Sequence, residues 1–169
     1  MNKIKKQLEF KDQWIDELKF LNISKKDYIN TKNILFKRFG KNPSENDIIW
    51  SLLNNVLLNN ITDYEKLYHI YYIIGNIVRK EGRNDPNLYY ELSSKSILRY
   101  YKNLGYKRVT YVASLGTRTC NVCSKLDGKH FDINDVLKNP PVPNKKCKNK
   151  DENGYINCRC AIVALKDDQ

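Results

Sequence analysis

All five cysteines of this 169-residue chain fall in its last third: Cys120-x-x-Cys123, then Cys147, then Cys158-x-Cys160. Two close pairs flanking a polar, proline-broken stretch form a spacing in which turns present thiolates to one tetrahedral ion, and zinc is the ion such sites commonly hold. Disulfides are the competing use of clustered cysteines, but they require an oxidising compartment and, as a rule, an even count. Five is odd. The start of the chain also lacks an export signal: Met1 to Lys6 is basic, but Gln7, Glu9, Lys11 and Asp12 stand where an apolar stretch should follow. No apolar run is long enough to cross a bilayer. The expectation is a cytoplasmic protein with reduced thiols, one structural zinc per chain and no membrane association.

A net charge of +11, with 29% charged residues, suggests attraction to nucleic acid or another polyanion, while 41% hydrophobic residues suffice for a core. The positive residues are spread out, and only Lys145, Lys146, Lys148 and Lys150 form a dense cluster. That cluster reads either as a solvated loop beside the cysteines or as a nucleic-acid contact. Twelve tyrosines are scattered along the chain and read as core and core-rim packing rather than as a base-stacking platform.

The first two thirds read as helices. Ile4, Leu8, Ile15 and Leu18 recur at helical spacing, with Phe10, Trp14 and Leu21 widening the face. Ser24-Lys25-Lys26-Asp27 resembles a capping box, and Gly40 is the expected stop of the helix that follows. Pro43-Ser44 opens a third helix, and Thr62-Asp63-Tyr64-Glu65 a fourth, with Leu67, Ile70, Ile74 and Val78 inward and an end near Gly82. Asp85-Pro86 starts a fifth helix, running to Gly105. Trp14, Phe39, Trp50, Leu53, Leu67, Ile74 and Ile97 are the expected core of this body.

Beyond Gly105 the pattern changes to β-branched and aromatic residues. Arg108 to Ala113 reads as a strand, Lys129-His130-Phe131 as a short returning strand after an Asp127-Gly128 turn, and Cys158 to Leu165 as a final strand. Asp132 to Lys138 has room for one or two helical turns. The fold class expected is α+β: a mostly helical body over 1–105 and a small zinc-stapled β module over 106–169.

Within that module Cys120 and Cys123 suit a knuckle turn. Cys158 and Cys160, two apart on a strand, would face one side. Four ligands complete a tetrahedron, so either Cys147 or one of the final pair is left over. Four thiolates leave no position for water, which points to structure rather than hydrolysis.

The run Tyr100-Tyr101-Lys102-Asn103-Leu104-Gly105, a strand, Thr119-Cys120-Asn121-Val122-Cys123 and Leu126-Asp127-Gly128-Lys129-His130-Phe131, followed by Pro140-Pro141 and Asn157-Cys158-Arg159-Cys160, resembles the C-terminal module of phage head-morphogenesis proteins, the Mu F-like minor head protein family. The resemblance covers roughly residues 90–165. The family's His just upstream of Asn-Cys-Arg-Cys is absent here, Tyr155 stands near its place, and an insertion carries Cys147. The resemblance implies that Cys147 replaces that His, giving Cys120, Cys123, Cys147 and Cys158. It leaves Cys160 spare, because the last cysteine is the more variable one in the family. It also implies a structural or interaction role with capsid- or portal-like protein partners, or a bacterial relative reusing the module.

Catalytic signatures are sparse. His69 lies off the apolar stripe of its helix, and His130 is the histidine a metal-dependent nuclease would use, yet no second His follows it. No His-x-Glu precedes a Pro-Cys-x-x-Cys as in a zinc deaminase, and no thioredoxin-like context surrounds Cys-x-x-Cys. A non-enzymatic protein is expected. The second reading is a zinc-containing nucleic-acid-binding protein acting through Lys145, Lys146, Lys148 and Lys150.

Overall fold

The computed structural model describes residues 18–82, 85–114, 116 and 119–166. The expected first helix, with Ile4, Leu8, Phe10, Trp14 and Ile15, lies almost wholly outside the described residues. The fold class is α+β, with helices first and a three-stranded antiparallel sheet toward the C-terminal end. The chain forms two compact units, Met1–Ile61 and Thr62–Gln169.

In the first unit, α1 (Lys25–Phe39) and α2 (Glu45–Asn59) begin on reciprocal capping boxes, Ser24 with Asp27 and Ser44 with Asp47. Gly40 ends α1 at φ 67°, a left-handed conformation that suits glycine, with its N–H donating to the Phe36 carbonyl. Helix α2 buries Ile48, Ile49, Leu52 and Leu53. Phe39, expected in the core, is 59% exposed. It ends α1, stacks under the Arg38 guanidinium and shares an open cleft with the half-buried Trp50.

The second unit opens with α3 (Tyr64–Glu81). Its N-cap is Asp63, whose carboxylate accepts from the Lys66 N–H. The inward stripe Leu67, Ile70, Ile74 and Val78 is buried as its spacing predicts, and Gly82 caps the end. Helix α4 (Asn87–Asn103) packs along α3. Gly75 permits their close approach, since a Cβ there would sit 2.6 Å from the Tyr90 ring. Ile97 is half-buried and Leu98 fully buried.

Strand β1 (Arg108–Val112) is the centre of the sheet, antiparallel to β2 (His130–Asp132) on one edge and β3 (Ala161–Leu165) on the other. A single helical turn, α5 (Asn121–Ser124), precedes β2, and α6 (Ile133–Lys138) follows it from the Asp132 cap. Leu98, Val109, Ile133, Val136 and Ile162 form one core that ties α4 to β1, α6 and β3. Gly105 therefore marks a change from helix to strand inside one core, and the boundary between the compact units falls between Ile61 and Thr62 in the chain. Strand β3 begins at Ala161, opposite Val112, so Cys158 and Cys160 precede the ladder instead of sitting in it.

Candidate metal centre

Three segments bring the five cysteines together. Cys120 caps α5 and Cys123 lies on it, so the helical turn sets their separation. Cys147 follows a tight turn in which its N–H donates to the Asn144 carbonyl at 2.8 Å. Cys158 and Cys160 lie in the irregular approach to β3. The sulfurs of Cys120, Cys123 and Cys147 all lie within 4.8 Å of one another, as do those of Cys123, Cys158 and Cys160. Cys123 belongs to both groups. This cluster can hold a metal ion.

The spacing fits that role. A tetrahedral ion with metal–sulfur bonds near 2.3 Å separates its sulfurs by about 3.8 Å. Cys120 and Cys147 stand 3.6 Å apart, and Cys123 and Cys158 4.0 Å apart. Cys123 and Cys147 are buried, Cys120 is nearly so, and Cys158 and Cys160 are half-buried. Cys120, Cys123 and Cys147 are thus the inner part of the cluster and the last pair sits at its rim.

The surroundings supply donors aimed at sulfur. Burial opposes the charged form of Cys120, but the backbone N–H groups of Lys148 and Cys123 outweigh it and bring that thiol down to about 6. Burial pushes Cys123 and Cys160 up, and Cys147 up to about 11. A bound cation would reverse that penalty, because metal coordination removes the proton. Asn144 donates from its side-chain amide to the Cys123 sulfur at 3.7 Å. The Tyr111 hydroxyl, buried on β1, lies 4.0 Å from the Cys158 sulfur, and burial followed by contact with Cys123 and Cys160 holds it protonated.

The stretch between Cys147 and Cys158 is a small hairpin. Lys150 and Ile156 form a bridge, the Asp151 N–H donates to the Tyr155 carbonyl, and the Asn157 N–H donates to the Asn149 carbonyl at 3.0 Å. The Asp151 carboxylate accepts from the N–H groups of Asn153 and Tyr155 inside the turn. Arg79 of α3 grips this hairpin. Its guanidinium donates to the Ile156 carbonyl at 2.7 Å and to the Asn157 side-chain oxygen at 3.1 Å, and its Nε faces Asp151 at 3.1 Å. That last contact is an ion pair without hydrogen-bond alignment, because neither atom has a hydrogen-bond partner. Arg79 also lies over the Tyr90 ring, 5.0 Å from its centroid.

All five cysteines expected from the sequence therefore converge. The two histidines take no part: His130 is exposed on the edge strand β2 and His69 is half-buried against Tyr68, and neither belongs to a metal-binding group among the described residues. Asp127 has the turn role its position suggested, its carboxylate accepting from the Ala113 N–H at 2.8 Å. Of the lysine cluster, Lys145 pairs with Glu91 at 3.2 Å, and Lys148 and Lys150 line a cleft beside the cysteines. Tyr111, Asn144, Arg79 and Asp151 were not singled out from sequence. Only Tyr111 carried a signal, since Val109, Tyr111 and Ala113 alternate inward along β1.

Among the described residues no helix is long and apolar enough to cross a membrane. No family profile, curated protein or solved structure matches the chain.

Proposed function

We propose that this chain is a non-enzymatic structural or interaction protein whose C-terminal module is stapled by one zinc ion. The observation that carries the reading is the sulfur cluster, with spacings of 3.6 and 4.0 Å close to those of a tetrahedral thiolate site. An all-sulfur donor set without imidazole or carboxylate favours a thiophilic ion, and a tetrahedral arrangement favours zinc. Cys120, Cys123, Cys147 and Cys158 form the shell, with Cys160 held beside it against Tyr111. Four protein sulfurs leave no exchangeable position, so the ion's work is folding. The likeness of residues 90–165 to the Mu F-like module of phage head-morphogenesis proteins supports a role in assembly, with a capsid- or portal-like protein as partner.

Elemental analysis of protein purified without added metal tests this reading. Zinc near one equivalent per chain is expected, with four thiols shielded from alkylation until a chelator is added. Metal-free, fully folded protein with five reactive thiols would refute it.

A further inference from the structure

Two clefts in the second unit share a wall formed by Asn157, Arg159 and Cys160. The first, about 380 Å³, opens beside Cys120, Cys123 and Cys147, and its charged lining residues are Lys148, Lys150 and Arg159. Among the described residues no carboxylate lines it, and none of the three cations makes an ion pair. The second, about 610 Å³, runs between the α3–α4 pair and the approach to β3. Tyr68 and Tyr72 line it from α3, and their four-residue spacing puts them on one helix face. Tyr72 is 51% exposed. Tyr90 and Tyr101 also line this cleft but are committed elsewhere, Tyr90 donating to Asn76 under Arg79 and Tyr101 packing on the Leu98 core. Both clefts are of a size that holds small organic groups.

We propose that the two clefts together bind single-stranded nucleic acid, its phosphates against Lys148, Lys150 and Arg159 and a base stacked on Tyr72 beside Tyr68. The inference rests on the metal-stapled reading, because Lys148 and Lys150 closely follow Cys147 and Arg159 lies between Cys158 and Cys160. Cations that track a backbone next to aromatic faces that accept any base are the two parts of a sequence-tolerant single-strand site. The fold assembles what the sequence keeps apart, since the tyrosines come from α3 and the cations from segments some 75 to 90 residues later. Charge compensation alone falls short as an explanation. Four thiolates on a divalent ion carry two negative charges, which two cations offset, and that leaves unexplained both the third cation and the half-exposed Tyr72 ring, which leans on Tyr90 with centroids 5.6 Å apart. A duplex hides the faces of its bases and would use only the first cleft.

The test is fluorescence anisotropy of the full zinc-loaded chain with a labelled mixed-sequence strand of about 15 nucleotides, the matching duplex and heparin. Wild type is expected to bind the strand more tightly than the duplex. Tyr72→Ala should weaken strand binding about 5- to 150-fold, the worth of one base–aromatic stack, and leave duplex and heparin binding unchanged. Combining Lys148→Gln, Lys150→Gln and Arg159→Gln should flatten the plot of log affinity against log salt by about 2, three contacts at roughly 0.7 each. Zinc content is measured on every variant. If Arg159→Gln sheds zinc, the two lysine substitutions alone should flatten the slope by about 1.4. Zinc-loaded wild type that does not bind the strand at about 50 mM salt overturns the proposal and leaves the metal reading standing. Equal binding of strand, duplex and heparin with no effect of Tyr72→Ala overturns it too, by reducing the site to bulk charge. Wild type without zinc sinks the metal reading itself.

Discussion

Arg79→Ala tests the coupling between the helical pair and the cysteine cluster. The wild-type guanidinium makes two charge-assisted hydrogen bonds, to the Ile156 carbonyl and the Asn157 side chain, and opposes the Asp151 carboxylate. Hydrogen bonds to charged groups contribute about 1.5–3 kcal/mol each, and deleting one partner of a buried ion pair costs about 3–5 kcal/mol. Side-chain exposures of 24% for Arg79 and 11% for Asp151 place the pair between surface and interior. Water entering the emptied site recovers part of the loss, so a net cost of about 3 kcal/mol is expected. The loss should be local. Both tryptophans, Trp14 and Trp50, precede Thr62, so tryptophan fluorescence reports on the other unit. Hydrogen exchange at the amides of Asp151, Tyr155 and Asn157, which hold the hairpin together, is the appropriate assay. About 3 kcal/mol corresponds to exchange faster by on the order of a hundredfold at those amides, and zinc should transfer faster to a competing chelator. Arg79→Lys should recover little, because an ammonium cannot span the carbonyl, amide and carboxylate that the planar fork reaches. Wild-type exchange at the hairpin with unchanged zinc release in Arg79→Ala would refute the reasoning.

Substitutions of the cysteines and of Gly75 bear on the same unit. Serine at Cys120, Cys123, Cys147 or Cys158 should abolish stoichiometric zinc, whereas Cys160→Ser should retain it; elemental analysis showing zinc lost with Cys160→Ser and kept with Cys147→Ser would reassign the shell. Gly75→Ala should lower stability by about 1–3 kcal/mol in a urea titration followed by helical circular dichroism, because its Cβ would meet a Tyr90 ring pinned by Asn76 and Arg79. A rise in stability, as expected for alanine replacing glycine in an unobstructed helix, would show that the ring yields freely.

What was legible in the sequence was local. Ser24 with Asp27 is a local code that satisfies helix-end donors by itself, Ser44 opens its helix where expected with Asp47 completing the box, and Gly40 and Gly82 stop helices through their own backbone freedom. Boundaries drifted where two caps compete. Thr62 and Asp63 are both good N-caps, and Asp63 holds the position; at the next helix Pro86 takes it while Asp85 accepts from the Asn87 N–H. Composition identified β1, but it could not tell where β3 begins, because that depends on which residues find partners across the ladder. Phe39 was misjudged for a related reason: periodicity gives a face, and only tertiary packing decides how far along the helix that face is covered.

The cysteine spacing foretold a cluster without revealing what orients it. The polar, basic stretch after Cys147 reads as an open loop because its hydrogen bonds are made across a hairpin and to Arg79, more than seventy residues earlier. That hairpin has a consequence for the metal. The Asn149–Asn157 hydrogen bond sets Cys147 and Cys158 at the two feet of one closed turn, and each foot has its short sulfur contact with α5, Cys147 with Cys120 and Cys158 with Cys123. An ion held by these sulfurs would join α5 to both feet of the hairpin, and the entropy of closing the long loops is already partly spent on the hairpin and on the strand register. Arg79 and the cysteines thus hold the same turn from two sides, which is why loosening the arginine should also loosen an ion bound by Cys147 and Cys158.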